Sequence, residues 1–180
     1  MLNLLVVGTV RNAGKTLHKD IKRLRNALYN YNVKYFLVES DSTDQTISIL
    51  ENMQLDDPNF NYTSLGNLQN TIQDKIERLR ICRNQYIHYF KNQIKFNSFD
   101  YLIVYDFDNI NNKITGKSFK LVFSQSSKWD ACFPNQTFGY YDLIALRYKG
   151  WVDQDCFDEI GTYFERKKEF LNALGSKYNS

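Results

Sequence analysis

The sequence predicts an α/β fold, a mostly parallel sheet with helices on both faces. Three observations carry that expectation. Short apolar runs ending in a glycine or an acid read as buried strands, as in Leu2–Gly8 and Tyr101–Tyr105. Stretches with apolar residues at helical spacing stand between them, as in Leu17, Ile21, Leu24 and Leu28. The two kinds alternate as β-α-β-α-β-α-β as far as Asn109, and parallel strands need such crossovers.

Taken in order, Leu2–Gly8 is the first strand and Asn12-Ala-Gly14 a turn. An amphipathic helix is expected from about Gly14 to Tyr31, then a second strand over Lys34–Glu39. Asp41-Ser-Thr-Asp44 offers N-cap residues and first-turn acid to a helix carrying Ile47, Leu50 and Met53. Asp56-Asp-Pro-Asn59 is a loop, and Asn61–Leu65 a weak strand. A long helix carries Ile72, Ile76, Leu79, Tyr86 and Phe90 and ends near Lys95. Beyond Asn109 the pattern loosens. A short helix is expected over Lys117–Gln125, and strands over Trp129–Phe133 and Tyr141–Leu146. An irregular stretch, Lys149–Asp158, and a charged helix, Glu159–Leu174, complete the chain.

The 180 residues suit one domain. With 43% hydrophobic and 16% aromatic residues, the chain is globular rather than disordered. A net charge of +3, spread over interleaved acids and bases, argues against a nucleic-acid partner. Cys82, Cys132 and Cys156 have no metal or disulfide spacing and read as reduced thiols, which suggests a cytoplasmic protein. No apolar run approaches the roughly 20 residues of a transmembrane segment. The apolar start is too short, and lacks the basic residues, for a signal peptide.

The most informative segment is Asp100-Tyr-Leu-Ile-Val-Tyr-Asp106-Phe-Asp108. It delivers two carboxylates, one residue apart, to the end of an expected buried strand. Burying charge is costly without a partner, and a hard cation carrying phosphate oxygens is a natural one. A capped turn beside a solvated carboxylate would explain the tripeptide without any ligand. Its position favours a site, because ligands of open α/β sheets sit beyond the carboxyl ends of the strands.

Glu39 ends the second strand and could accept hydrogen bonds from a base or ribose; an N-cap cluster explains Ser42, Thr43 and Asp44 equally well, but not Glu39. Arg78 and Arg83 could direct a guanidinium at a diphosphate, although a helical Arg is more often solvated surface. Gly8 to Thr16 resembles a phosphate-cradling P-loop, but five residues separate Gly8 from Gly14 where the motif has four. His18 and His88 have no partners at metal-ligand spacing, and Trp129 and Trp151 read as packing residues.

Four of these pieces stand in order: Thr9-Val-Arg11-Asn, Glu39-Ser-Asp-Ser-Thr-Asp-Gln-Thr46, Arg83-Asn84, and the segment ending in Asp108. Together they resemble the nucleotide-sugar half of GT-A fold (Rossmann-like) glycosyltransferases of the family 2-like group, with their DDGSTDxT-like, ARN-like and DxD segments. Trp129-Asp-Ala and Tyr140–Arg147 are similar to the cap mannosyltransferase-like subset. The resemblance covers about residues 2–156. It implies a metal-dependent transfer of a sugar from a UDP- or GDP-linked donor to a glycan, lipid-linked or protein hydroxyl. Residues 1–110 would be the nucleotide-sugar half and 111–180 a shortened acceptor half.

The resemblance also implies roles. Thr9 and Arg11 would line the nucleotide pocket, Glu39 would contact base or ribose, and Arg83 base or diphosphate. Asp106 would meet the ribose or the metal shell, and Asp108 would ligate Mn²⁺ or Mg²⁺. Ser40 departs from the pattern, standing where the family has a second Asp. After Asp158 nothing clearly supplies an acceptor region, a further metal ligand or a catalytic carboxylate, and neither Asp142 nor Asp155 stands out as a base. Two further readings stay open: a non-catalytic nucleotide-sugar-binding module completed by a partner chain or a homodimer, and a P-loop nucleotide kinase or ATPase.

Overall fold

The computed structural model describes residues 1–93, 99–125 and 129–133. Its strands are β1 (Asn3–Val10), β2 (Asn32–Glu39), β3 (Phe60–Ser64) and β4 (Tyr101–Val104). They form one sheet in the order β3-β2-β1-β4, and every pairing is parallel. The helices are α1 (Leu17–Ala27), α2 (Thr46–Asp56), α3 (Lys75–His88) and α4 (Gly116–Ser124). The protein is therefore an α/β protein of Rossmann-like build, as the alternation of elements predicts.

β1 shows why its run is apolar without interruption. Leu4, Val6 and Val10 join a core with Leu17, Ile21 and Leu24 of α1 and Leu50 and Met53 of α2. Leu5 and Val7 point the other way, against Cys82 and Tyr86 of α3. A central parallel strand buries both faces, so both parities are apolar. Leu4, Leu5, Val6 and Val7 are all at 0% exposure, each contributing about 1.5–3 kcal/mol of burial.

The ends of the elements depart from the expected ones. α1 starts at Leu17, because the N–H groups of Thr16 and Leu17 close a turn on the Ala13 carbonyl. It stops at Ala27, and Asn32 already donates to Leu2 O in the sheet. α3 starts at Lys75, where Asp74 caps the Ile76 N–H at 2.8 Å. Ile72 thus precedes the helix, and Ile76 is 61% exposed, outside the buried seam of Cys82 and Tyr86. A π-helical turn, Tyr89–Gln93, follows α3. Trp129–Phe133 is not a strand. Trp129 instead packs its ring 5.5 Å from Tyr101 and donates its indole N–H to Val122 O at 3.1 Å. The expected strand Tyr141–Leu146, the stretch Lys149–Asp158 and the helix Glu159–Leu174 lie outside the described residues, with Cys156.

Contacts divide the chain into two units, Met1–Trp129 and Asp130–Ser180. The expected single domain spans both, and the four-stranded sheet belongs to the first.

Candidate functional site

The sheet reverses its winding between β1 and β4. From β1 the chain proceeds outward to β2 and β3, then returns to the other side of β1 as β4. The carboxyl ends of β1 and β4 flank this switch point, where open α/β sheets take their ligands. Asp106 and Asp108 follow β4 at that place.

Residues 105–108 continue the alternation of a strand. Tyr105 and Phe107 are buried at 3% exposure in the α1 side of the core, with ring centroids 4.9 Å apart. Asp106 and Asp108 alternate with them and are exposed. Tyr105 N–H still donates to Val7 O at 2.9 Å, so the segment stays fixed to β1. Gly8 makes this approach feasible. A Cβ there would lie 2.2 Å from Tyr105 O and 2.6 Å from Phe107 Cε2.

This geometry corrects the reason for expecting a cation. Among the described residues β4 is an edge strand, half-buried, with Val104 59% exposed. The two carboxylates face solvent, so no burial cost demands a counter-ion. What remains is their placement.

A turn follows the pair. Asn109 has φ of 67°, in the left-handed region that Asn tolerates. Ile110 N–H donates to Asp108 Oδ1 at 3.0 Å, and Asn111 Nδ2 to Asp106 O at 3.1 Å. From beneath, Thr16 Oγ1 donates to Phe107 O at 3.1 Å. Asp20 Oδ2 accepts the Asn109 N–H at 3.0 Å. Burial pushes the Tyr105 hydroxyl up to about 12, and that hydroxyl donates to Asp20 Oδ1 at 3.3 Å.

α3 closes the other side. Thr9 is half-buried and follows Leu5 and Val7 on the α3 face of β1. Tyr86 of α3 is buried, which raises its hydroxyl; Arg83 lowers it and Asp106 raises it. Arg83, which is exposed, and Asp106 thus act on one hydroxyl with opposite signs. Arg83 and Tyr86 both stand on α3, where Tyr86 packs against Leu5 and Val7 of β1. The helical pattern marked Tyr86 only as core.

Glu39 ends β2, and Arg11 follows β1 beside it, since Val10 pairs with Glu39. Glu39 is fully buried. Its Oε1 accepts from Ser42 N–H at 2.9 Å and its Oε2 from the Ser64 hydroxyl. In this arrangement it ties β2 to β3, and a ligand reaches it only if those contacts open. Asp41, at φ 59° and 5% exposure, accepts from Gln69 N–H at 2.8 Å and faces Arg78 Nε at 3.3 Å. Arg78 also donates to Ile72 O at 2.6 Å and Gln73 O at 2.8 Å, so it braces the approach to α3. Arg11 donates to Gln69 Oε1 at 3.2 Å across the same loop. The Cys82 thiol, raised by burial, donates to Ser40 Oγ at 3.3 Å.

The P-loop-like segment is engaged within the protein. Asn12 N–H donates to Ser42 Oγ at 3.0 Å, Ala13 N–H to Thr46 Oγ1 at 2.7 Å, and Gly14 N–H to Asp44 Oδ2 at 3.0 Å. A phosphate cradle needs those amides for its ligand, so the contacts weigh against a kinase or ATPase. They also add to the capping expectation for residues 41–44. The residue at the N-cap of α2 is Gln45, with no side-chain cap; Asp44 accepts the Thr46 N–H of the first turn at 2.9 Å, as expected, and together with Ser42 also reaches across to the loop after β1.

Asp44 gives a prediction of its own. Hydrogen bonds, first from the Thr46 hydroxyl and then from the Thr46 and Gly14 amides, lower its carboxyl below the ordinary range. A lowered folded-state pKa contributes stability above the unfolded value, lost as pH falls through the folded value. The stability difference between wild type and Asp44→Asn should therefore be full at pH 7 and shrink toward pH 2. Urea unfolding of both across that range measures it, and a difference independent of pH contradicts it.

Asp106 and Asp108 bring two carboxylates to the switch point. Among the described residues no group of three or more His, Cys, Asp or Glu is arranged to hold a metal ion. Two carboxylates suit a cation that takes its other ligands from phosphate and water, as Mg²⁺ does. No described helix is long and apolar enough to cross a membrane. Neither the models of known protein families nor the curated proteins give a match to this chain. Fold and site define the class: a Rossmann-like α/β protein with a carboxylate pair at its switch point.

Proposed function

We propose that this chain is a metal-dependent glycosyltransferase that holds a nucleoside diphosphate sugar at the carboxyl ends of β1 and β4. The observation that carries the reading is the alternation past β4. Tyr105 and Phe107 turn into the core while Asp106 and Asp108 turn out, at the switch point. Asp106 and Asp108 would hold Mn²⁺ or Mg²⁺ against the diphosphate. The cation would supply Lewis-acid stabilisation of the departing nucleoside diphosphate. Arg83 would add a guanidinium beside it, and Thr9 would line the floor. Arg11 and Glu39 would serve the base and ribose side once Gln69 and Ser64 give way. The acceptor would be a glycan, lipid-linked or protein hydroxyl. A cytoplasmic setting belongs to the same reading and agrees with the free thiols of Cys82 and Cys132.

Incubation with UDP- and GDP-linked sugars and Mn²⁺ tests the enzyme reading. Slow release of UDP or GDP that stops with EDTA is expected, because donor hydrolysis accompanies transfer when water takes the acceptor's place. Metal-dependent binding without turnover, with acceptors present, would instead make the chain a nucleotide-sugar-binding module.

A further inference from the structure

Asp20 lies on the core face of α1, between Leu17 and Leu24, and is fully buried. A carboxylate in that position is costly unless donors surround it. Oδ1 receives Arg23 Nη1 at 2.6 Å and the Tyr105 hydroxyl at 3.3 Å, and Oδ2 receives the Asn109 N–H at 3.0 Å. Two of these three donors come from the segment that carries Asp106 and Asp108. Arg23 uses its other nitrogen, Nη2, to reach Asn109 Oδ1 at 3.0 Å. The ion pair thus grips Asn109 by both its backbone and its side chain. Asn109, at φ 67°, reverses the chain immediately after Asp108.

We propose that Asp20, with Arg23, is a positioning residue that fixes the turn after Asp108 and so orients the Asp106–Asp108 pair for a divalent cation. This rests on the reading of that pair as a cation site. Asp20 is buried beneath the turn, so it acts through Asn109 and Tyr105 rather than on the ligand. Carboxylates on an exposed turn sample many directions, and two must converge for one cation. Holding the turn from below confines them before binding, which lowers the cost of forming the site.

The test combines amide exchange with Mn²⁺ titration in the presence of UDP or GDP, on wild type, Asp20→Asn and Arg23→Lys. In Asp20→Asn the Asn109 amide should exchange about tenfold faster while Val6 in β1 keeps its protection. The apparent Kd for Mn²⁺ should rise about tenfold, the scale of changes behind metal ligands. Saturating Mn²⁺ should restore nucleotide affinity, which a merely structural role would not produce. Arg23→Lys keeps a cation beside Asp20 but loses the fork to Asn109, so a rise of about threefold is expected. This variant decides the matter if Asp20→Asn does not fold. Unchanged Mn²⁺ affinity in the variants, beside a wild type that binds, overturns the proposal and leaves the site reading standing. Unchanged exchange at Asn109 overturns it too. A wild type that binds no nucleotide with Mn²⁺ overturns the site reading, and the proposal with it.

Discussion

Gly8→Ala is expected to be the most damaging conservative change in the described part of the chain. The added carbon would lie 2.2 Å from the Tyr105 carbonyl oxygen and within 3 Å of two Phe107 ring atoms. A flexible side chain could move aside, but a backbone carbonyl held in the sheet register cannot. Tyr105 N–H is bound to Val7 O, so relief requires β4 and residues 105–108 to move away from β1. Overpacking of this kind costs about 3 kcal/mol, or roughly 10 °C of unfolding midpoint for a chain of this size. Gly66→Ala is the contrast. Gly66 has φ of 65° and open space around its Cβ position, so only its left-handed backbone is penalised, by about 1 kcal/mol. Thermal unfolding of the two variants checks the order. Equal losses would mean that the β1 crossing is not tight.

The second large effect is functional. Asp108→Asn should leave the fold intact, because Asn keeps the Oδ1 acceptor for the Ile110 N–H. It removes one of the two carboxylate charges that would face the cation. Metal-dependent affinity for a nucleoside diphosphate should fall about 100-fold, equivalent to about 2.7 kcal/mol. Lys15→Ala should change nothing. Lys15 is exposed, and the amides around it are bound to Ser42, Thr46 and Asp44. A P-loop protein would give the reverse pattern, since its lysine holds the phosphates.

The strands were legible in the sequence because burial on both faces writes an unbroken apolar run. β1 and β2 show this plainly, and β4 reads as a strand although it is half-buried. Helix ends were less legible, because distant contacts set them. α1 stops where Asn32 enters the sheet beside Leu2, and Trp129–Phe133 is no strand, Trp129 packing on Tyr101 and Val122. The carboxylate pair was visible by position, but its exposure was not, since a run such as Tyr101–Val104 does not reveal that it lies at a sheet edge. Ser42 and Asp44 have the composition of a cap, and Asp44 does accept the Thr46 N–H at the start of α2, yet both also take donors from thirty residues earlier in the chain, which the sequence did not show. Asp20 was the most readable omission. It stands three residues after Leu17 and four before Leu24, on the face that must be buried. A charge there signals a buried partner, and the partners proved to be Arg23, Tyr105 and Asn109.

The most direct measurement is calorimetric titration of UDP and GDP into the chain with Mn²⁺ and with EDTA, repeated on Asp108→Asn. A cation site at the end of β4 predicts binding that appears with Mn²⁺, disappears with EDTA and is lost in the variant. Binding indifferent to Mn²⁺ and to Asp108, or binding of neither nucleotide, would contradict it.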